Sequence, residues 1–150
     1  MAWVDDLTGK VVALDTGPLI YFIEEHPVYL PIVEPFFQAL DAGRFKVVTS
    51  TLTLLEVLVQ PLRQGNQSLA KLYETILLEA AGITALAITA TIAQRADEIR
   101  ASQNVATPDA LQLATAIENG ASAIVTNDLR MKPPANLQII LLDELLDPTS

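Results

Sequence analysis

TPDALQLATAIENGASAIVTND, residues 107–128, decides the reading of this chain. Thr107-Pro108 carries a helix-start signal, a capping hydroxyl followed by proline at the first helical position. Ala110, Leu113, Ala114 and Ile117 fall on one helical face, and Asn119-Gly120 stops the helix. Ser122 to Thr126 then reads as a short buried strand. The unit sets one carboxylate, Asp109, in the first helical turn and a second, Asp128, just beyond the strand. If its two ends meet, they form one wall of an acidic pocket.

The rest of the chain repeats the same alternation. Lys10 to Leu14 is an apolar run of the buried-strand type, ended by Asp15-Thr16-Gly17-Pro18 and followed by a helical segment through Glu25. His26-Pro27 breaks that segment, because a residue before proline avoids helical angles. Ile32, Val33, Phe36, Phe37 and Leu40 recur at helical spacing within Pro31–Ala42, and Gly43 stands at the C-terminal cap. Arg44 to Ser50 reads as strand two. A helix from Thr51 to Arg63 follows, with Pro61 as an early stop, then a turn at 64–67 and a helix capped by Ser68 and reaching Ala81. Ile83 to Ile88 is strand three, and Thr89 caps a helix that buries Ile92, Ala96 and Ile99. Beyond Asp128, Pro133-Pro134 interrupts the chain, Leu137 to Leu142 is strand five, and a short helix from Asp143 leads to a frayed end. Strands alternating with helices predict a parallel sheet covered on both faces, an α/β/α sandwich in one domain over residues 1–150. In such sheets ligands bind beyond the carboxyl ends of the strands, where Asp15 and Asp128 both fall.

Composition narrows the function. The 150 residues are 51% hydrophobic, enough for a large core and against disorder. The most apolar stretch, Ala80 to Ala93, is shorter than the roughly 20 residues of a spanning helix. Asp5 and Asp6 precede any apolar run, which does not fit a signal peptide. With no cysteine there is no thiolate metal site and no thiol nucleophile, and a cytoplasmic location is expected. The net charge of −9 opposes non-specific binding to nucleic acid, so any such activity needs a local cause. Cation binding by some of the carboxylates is one.

Asp15, Glu56, Asp109 and Asp128 each lie in or beside an apolar segment near an expected strand end. Clustered carboxylates are costly unless a cation compensates them. Hard divalent ions such as Mg²⁺ or Mn²⁺ prefer these oxygen ligands. Such ions lower the pKa of bound water and stabilise a transferring phosphoryl group, the physical case for metal-dependent phosphodiester hydrolysis. Each acid also has a structural reading. Asp15 and Asp128 suit turns, Asp109 suits a helix N-terminus, and Glu56 follows Thr53 at capping-box spacing. Glu56 also sits inside TLTLLEVLV, where a buried unpaired glutamate would be expensive, and this favours function there. The joint occurrence of four acids at strand ends favours a site.

The chain resembles the PIN-domain proteins, and among them the VapC-type toxins of bacterial toxin–antitoxin pairs. The resemblance rests on ALDTGPLIYFI near the start, TSTLTLLEVL in the second quarter, and the 107–128 segment. It implies a five-stranded parallel sheet and Mg²⁺- or Mn²⁺-dependent endoribonuclease activity. The family's acids map onto Asp15, Glu56, Asp109 and Asp128, its hydroxyl position onto Thr126, and a supporting position onto Asn127. Family members often carry an aromatic residue where Met131 stands. A cognate antitoxin and a homodimer are implied as well; the apolar helices at Pro31–Leu40 and Leu69–Leu78 offer surfaces for them, and a buried core role suits those helices equally. Arg130 and Lys132 are the leading candidates for RNA phosphate contacts, ahead of Arg63. Two bound divalent ions would bring the net charge from −9 to −5.

Other chemistries fit less well. His26 is the only histidine and has no cysteine partners for zinc, and no P-loop or GxGxxG is present. Trp3 and Tyr21 could stack bases, but core or surface packing is the better reading of them. A receiver-type phosphoacceptor wants paired acids after the first strand, whereas this chain has LDTG there. A non-catalytic PIN-like protein binding RNA or a partner is the alternative to the nuclease, and the presence of all four acids counts against it.

Overall fold

A computed structural model describes residues 2–132, 134 and 136–146. Its five strands form one parallel sheet: β1 (Val11–Leu14), β2 (Lys46–Ser50), β3 (Ile83–Leu86), β4 (Ala123–Thr126) and β5 (Gln138–Leu141). The order across the sheet is β3-β2-β1-β4-β5. Registers such as Ala13 opposite both Val48 and Ile124 fix the three central strands. The expected α/β/α sandwich is therefore present.

The helices are α1 (Ala2–Asp5), α2 (Thr16–Ile23), α3 (Leu30–Asp41), α4 (Thr51–Arg63), α5 (Gln67–Glu79), α6 (Ala90–Ser102) and α7 (Thr107–Glu118), with a 3₁₀ turn at Leu142–Leu145. Period-two alternation in β1 separates two cores. Val12 and Leu14 join Phe36, Phe37, Tyr73 and Leu77 beneath α1–α5. Ala13 joins Ile92, Ala96, Leu113 and Ile124 beneath α6 and α7. Every residue from Asp109 to Ala116 except Leu111 is buried, so α7 is enclosed on nearly all sides and not apolar along a single stripe.

Several ends differ from expectation. Asn66 caps α5 in place of Ser68, its Oδ1 accepting from Leu69 N at 3.1 Å. The N-cap of α7 is Ala106, with no side-chain bond, and Thr107 is already helical. Pro108 at the second helical position has no N–H, so one of the two donors a capping hydroxyl serves is missing there. Pro61 does not stop α4, which runs on to Arg63. The helix ends within a turn of it, so only one internal hydrogen bond is forfeited. Thr89 caps α6 as expected, bonding Ile92 N at 3.3 Å. Gly43 and Gly120 follow α3 and α7 at φ of 77° and 71°, left-handed conformations that a side chain would strain. The 3₁₀ turn claims Leu142 from the expected fifth strand. Pro133 and the frayed end expected at 147–150 lie outside the described residues.

Strand order fixes where a ligand can sit. From β1 the chain moves outward to β2 and β3, then returns through α6 and α7 to place β4 on the other side of β1. The crevice where the order reverses lies beyond the carboxyl ends of β1 and β4, between Asp15 and Asp128.

Candidate active site

Asp15, Glu56, Asp109 and Asp128 line one cleft of about 330 Å³ at this crevice, with Thr16, Gln112 and Arg130 among the other walls. Four separate chain segments converge there. The site candidates drawn from distant parts of the sequence thus share one space.

Asp15 is the most tightly held. Its N–H donates to the Val125 carbonyl at 3.0 Å, extending the β1–β4 pairing by one residue. Its Oδ1 caps α2 by accepting from Thr16 N at 2.9 Å and also accepts from Gln112 Nε2 at 3.3 Å. Its Oδ2 accepts the Thr126 hydroxyl at 2.7 Å. Thr126, fully buried, in turn accepts from Asp128 N at 3.0 Å, so one hydroxyl ties the first acid to the last.

Glu56 departs from its sequence-based rationale. It is exposed at the rim of the cleft, off the α4 face that buries Thr53 and Val57. Its position is nonetheless set, since Thr16 Oγ1 donates to Glu56 Oε1 at 2.5 Å and lies 3.1 Å from the Thr53 hydroxyl. The capping-box reading fails as well, because α4 starts at Thr51 under Ser50, whose Oγ accepts from Leu52 N at 3.2 Å.

Asp109 is only 7% exposed, and its Oδ2 is buried without any hydrogen-bond partner. Burial, then the neighbouring Asp128 and Asp15 carboxylates, push its carboxyl up to about 6. The N-terminal end of α7 favours the anion, yet desolvation and like charge outweigh it. Asp128 goes the other way. Arg130 holds it below the ordinary carboxylate range, with N, Nε and Nη2 donating to it at 2.9, 3.1 and 3.2 Å. Two neighbouring acids driven in opposite directions share charge poorly, and positive charge placed beside them would relieve that crowding.

The donor set fits a hard divalent cation. Its atoms are carboxylate oxygens, one is orphaned and buried, and the crowding that raises Asp109 is relieved by positive charge. Among the described residues, no three acidic or histidine side chains stand close enough together to hold a metal ion between them. An open arrangement of one or two carboxylates, with water completing the shell, is the usual way Mg²⁺ is held.

Beneath the acids lies a network that sequence reading missed. Gln112, 4% exposed, donates through Nε2 to Thr53 Oγ1 at 2.8 Å as well as to Asp15, and accepts the Ser50 hydroxyl at 2.8 Å. Thr49 donates to the Leu14 carbonyl at 2.8 Å and lies 2.9 Å from the Thr53 hydroxyl. The available signals were a glutamine between Leu111 and Leu113, one turn after Asp109, and, far away in the chain, the polar run TSTLT at 49–53. Among the cationic candidates, Arg130 lines the acidic cleft, Lys132 lines an adjoining one, and Arg63 lines neither. Trp3 stacks on Phe36 and Tyr21 on Tyr29, while His26 Nδ1 accepts from Val28 N at 3.1 Å in its loop. All three are accounted for by packing. Met131 is buried in the core under α6 and α7, below the Asp128 loop.

Known proteins share this architecture. The PIN domain profile matches residues 12–136. No curated protein matches the sequence. Solved structures with the same fold include the VapBC2 complex from Rickettsia felis bound to a DNA fragment from its promoter, at TM-score 0.64 and 19% identity over 86% of this chain and 96% of that one. VapC20 from Mycobacterium tuberculosis, a sarcin–ricin-loop-cleaving toxin, matches at TM-score 0.61 and 16% identity over 75% and 86%. FitAcB from Neisseria gonorrhoeae matches at TM-score 0.60 and 18% identity over 87% and 97%. With the profile spanning both ends of the acidic cleft, the chain belongs to the PIN-domain family.

Proposed function

We propose that this chain is a metal-dependent endoribonuclease that hydrolyses RNA phosphodiester bonds, and the toxin of a type II toxin–antitoxin pair. The observation that carries the reading is the buried, unpartnered Oδ2 of Asp109 beside Asp15 and Asp128. Asp15, Asp109, Asp128 and Glu56 would hold Mg²⁺ or Mn²⁺, directly or through water. When bound, that ion supplies Lewis acidity at the phosphoryl group and makes water a nucleophile near neutral pH. The chain's own groups supply position and proton acceptance. Thr126 fixes Asp15 and the backbone of Asp128. Thr16 engages Glu56 Oε1, leaving Oε2 at the rim to accept a proton from the attacking water. Arg130 and Lys132 contact phosphate.

The toxin part of the reading draws support from the VapBC and FitAB complexes among the structural neighbours. An antitoxin would bind and silence the cleft, and the protein would act in the cytoplasm as a homodimer. No helix among the described residues is long and apolar enough to cross a membrane. Of the two surfaces expected for partners, the apolar residues of α3 are committed to the core. On α5, Leu72 and Leu78 remain exposed, and α4 adds Leu55 at 62% and Leu62 at 60%.

The test is cleavage of structured RNA by purified protein with Mg²⁺ or Mn²⁺, compared with Asp15→Asn. Asparagine keeps an acceptor for the α2 cap while removing the charge. Loss of cleavage with retained folding is expected. Equal cleavage by the variant would place the activity elsewhere.

A further inference from the structure

Next to the acidic cleft lies a second one, of about 450 Å³, lined by Arg100, Asn104, Val105, Ala106, Asp109, Arg130 and Lys132. The two are continuous, since Ala106, Asp109 and Arg130 line both. The chain has nine lysines and arginines in all, and three of them meet here. Elsewhere Arg44 is paired with Asp5, and Arg95 with Glu118 and Glu98. In a molecule of net charge −9, this concentration is a local reversal of the overall field.

The three cations are prepared differently. Arg100 spends Nε on the Val105 carbonyl at 3.2 Å, which aims its guanidinium and leaves the two terminal nitrogens as a fork. Arg130 lies against Asp128 at the junction of the two clefts. Lys132 has no ion-pair partner among the described residues. Asn104, exposed between α6 and α7, adds a neutral side chain that can donate and accept.

We infer that this second cleft is the track for the flanking phosphates of a single-stranded RNA, with Arg100, Asn104 and Lys132 gripping the backbone next to the bond that the acids address. The inference rests on the nuclease reading and assigns where its substrate lies. A strand leaving the acidic cleft by this side meets three donors within one continuous groove. It needs no base contact, so the grip is independent of sequence. It also answers the charge objection locally, because phosphates are neutralised beside the acids and not over the whole surface.

Salt dependence of binding tests it. Fluorescence anisotropy of a labelled single-stranded RNA would be followed over a salt series with Mg²⁺ present. Glu56→Gln would serve as the background, because Glu56 is exposed and the change is isosteric. Removing one phosphate-neutralising cation lowers the slope of log affinity against log salt by about 0.7. Arg100→Gln with Lys132→Ala should therefore lower it by about 1.4. Lys10→Ala with Lys71→Ala, the same charge change on sites elsewhere, should leave it unaltered. Lys132→Ala alone, expected at about half the double's effect, carries the test if Arg100→Gln does not fold. An unchanged slope in the cleft variants, or an equal fall in the control, overturns the track. If wild-type protein still cuts RNA in that case, the nuclease reading stands; RNA neither bound nor cut overturns both.

Discussion

The two walls of the acidic cleft are built on opposite principles. On the β1 wall both carboxylates are held by hydroxyl and amide donors: Asp15 receives them from Thr16, Gln112 and Thr126, and Glu56 receives one, from Thr16. On the α7 wall Asp109 keeps a buried oxygen with no donor, and the Asp128 carboxylate takes its cationic partner, Arg130, from its own exposed loop. The first wall is finished by the protein alone. The second is left for something positive to complete, and burying an unanswered carboxylate oxygen is expensive enough that it marks function over stability. The contrast leaves the α7 side as the wall that added positive charge would relieve, and the β1 side as the wall held by hydrogen bonds.

The hardest way to break the contrast is to remove charge from the finished wall. Asp15→Asn should lower RNA cleavage by roughly 10²–10³-fold while leaving the fold intact, measured as single-turnover rate with matched circular dichroism. Gln112→Ala should do the reverse kind of damage. It strips the shared partner of Asp15, Thr53 and Ser50 and creates a cavity, so denaturant unfolding should show a loss of roughly 2–4 kcal/mol. A loss under about 0.5 kcal/mol, the range of ordinary surface changes, would mean that the network is not what holds that wall.

The unfinished wall should respond oppositely. The Asp109 carboxyl titrates near 6 in the folded chain, above its ordinary 3.8. The folded state therefore holds that proton more tightly than the unfolded chain does. Without divalent cation, stability should fall as pH rises from about 4 to about 6, and stay reduced above. Asp109→Asn should abolish this slope and stabilise the cation-free protein at pH 7 by roughly 1–3 kcal/mol, seen by urea unfolding. Asp128, depressed by Arg130, acts in the other direction: its contribution is present above its unfolded value and lost in more acid solution. Destabilisation by Asp109→Asn at pH 7 would show that the orphan oxygen has a partner in solution.

The smallest effect is expected at Arg130. Its side chain is 80% exposed, so Arg130→Gln should change stability by less than about 1 kcal/mol. It should instead enlarge the rise in melting temperature caused by millimolar Mg²⁺, because the guanidinium no longer competes for Asp128. An unchanged Mg²⁺ response would separate Arg130 from the cation's place.

Much of this was legible in the residues. The apolar runs of β1 and β4 and the residues closing them gave both the sheet and the location of Asp15 and Asp128. Glu56 was found for a reason that the structure reverses: helical periodicity identifies a face but not where that face lies relative to the end of the sheet. Gln112 escaped because its partners, Asp15, Ser50 and Thr53, are 97, 62 and 59 residues away. No local pattern announces a bond of that span. The α7 cap failed for a nearer reason: the Ala106 carbonyl takes the Ala110 N–H at 2.9 Å, so the helix begins one residue earlier and Thr107 is already inside it. Pairings between distant segments are what a single chain read from end to end leaves out.

That span also orders events in time. The hydroxyl of Thr126 reaches Asp15 across 111 residues, and β4 pairs directly with β1. During vectorial synthesis β1, β2 and β3 are made before β4, but the core beneath α1–α5 also contains Ala123 and Val125 of β4 and Ile140 of β5, so it closes only when those strands arrive. Long-range parallel pairing is then the slow step, because its loop-closure entropy must be met before its contacts form. A chain lacking its last strands therefore has neither a closed core nor a complete cleft, because the Thr126 hydroxyl and Asp128 arrive only with β4 and the loop after it.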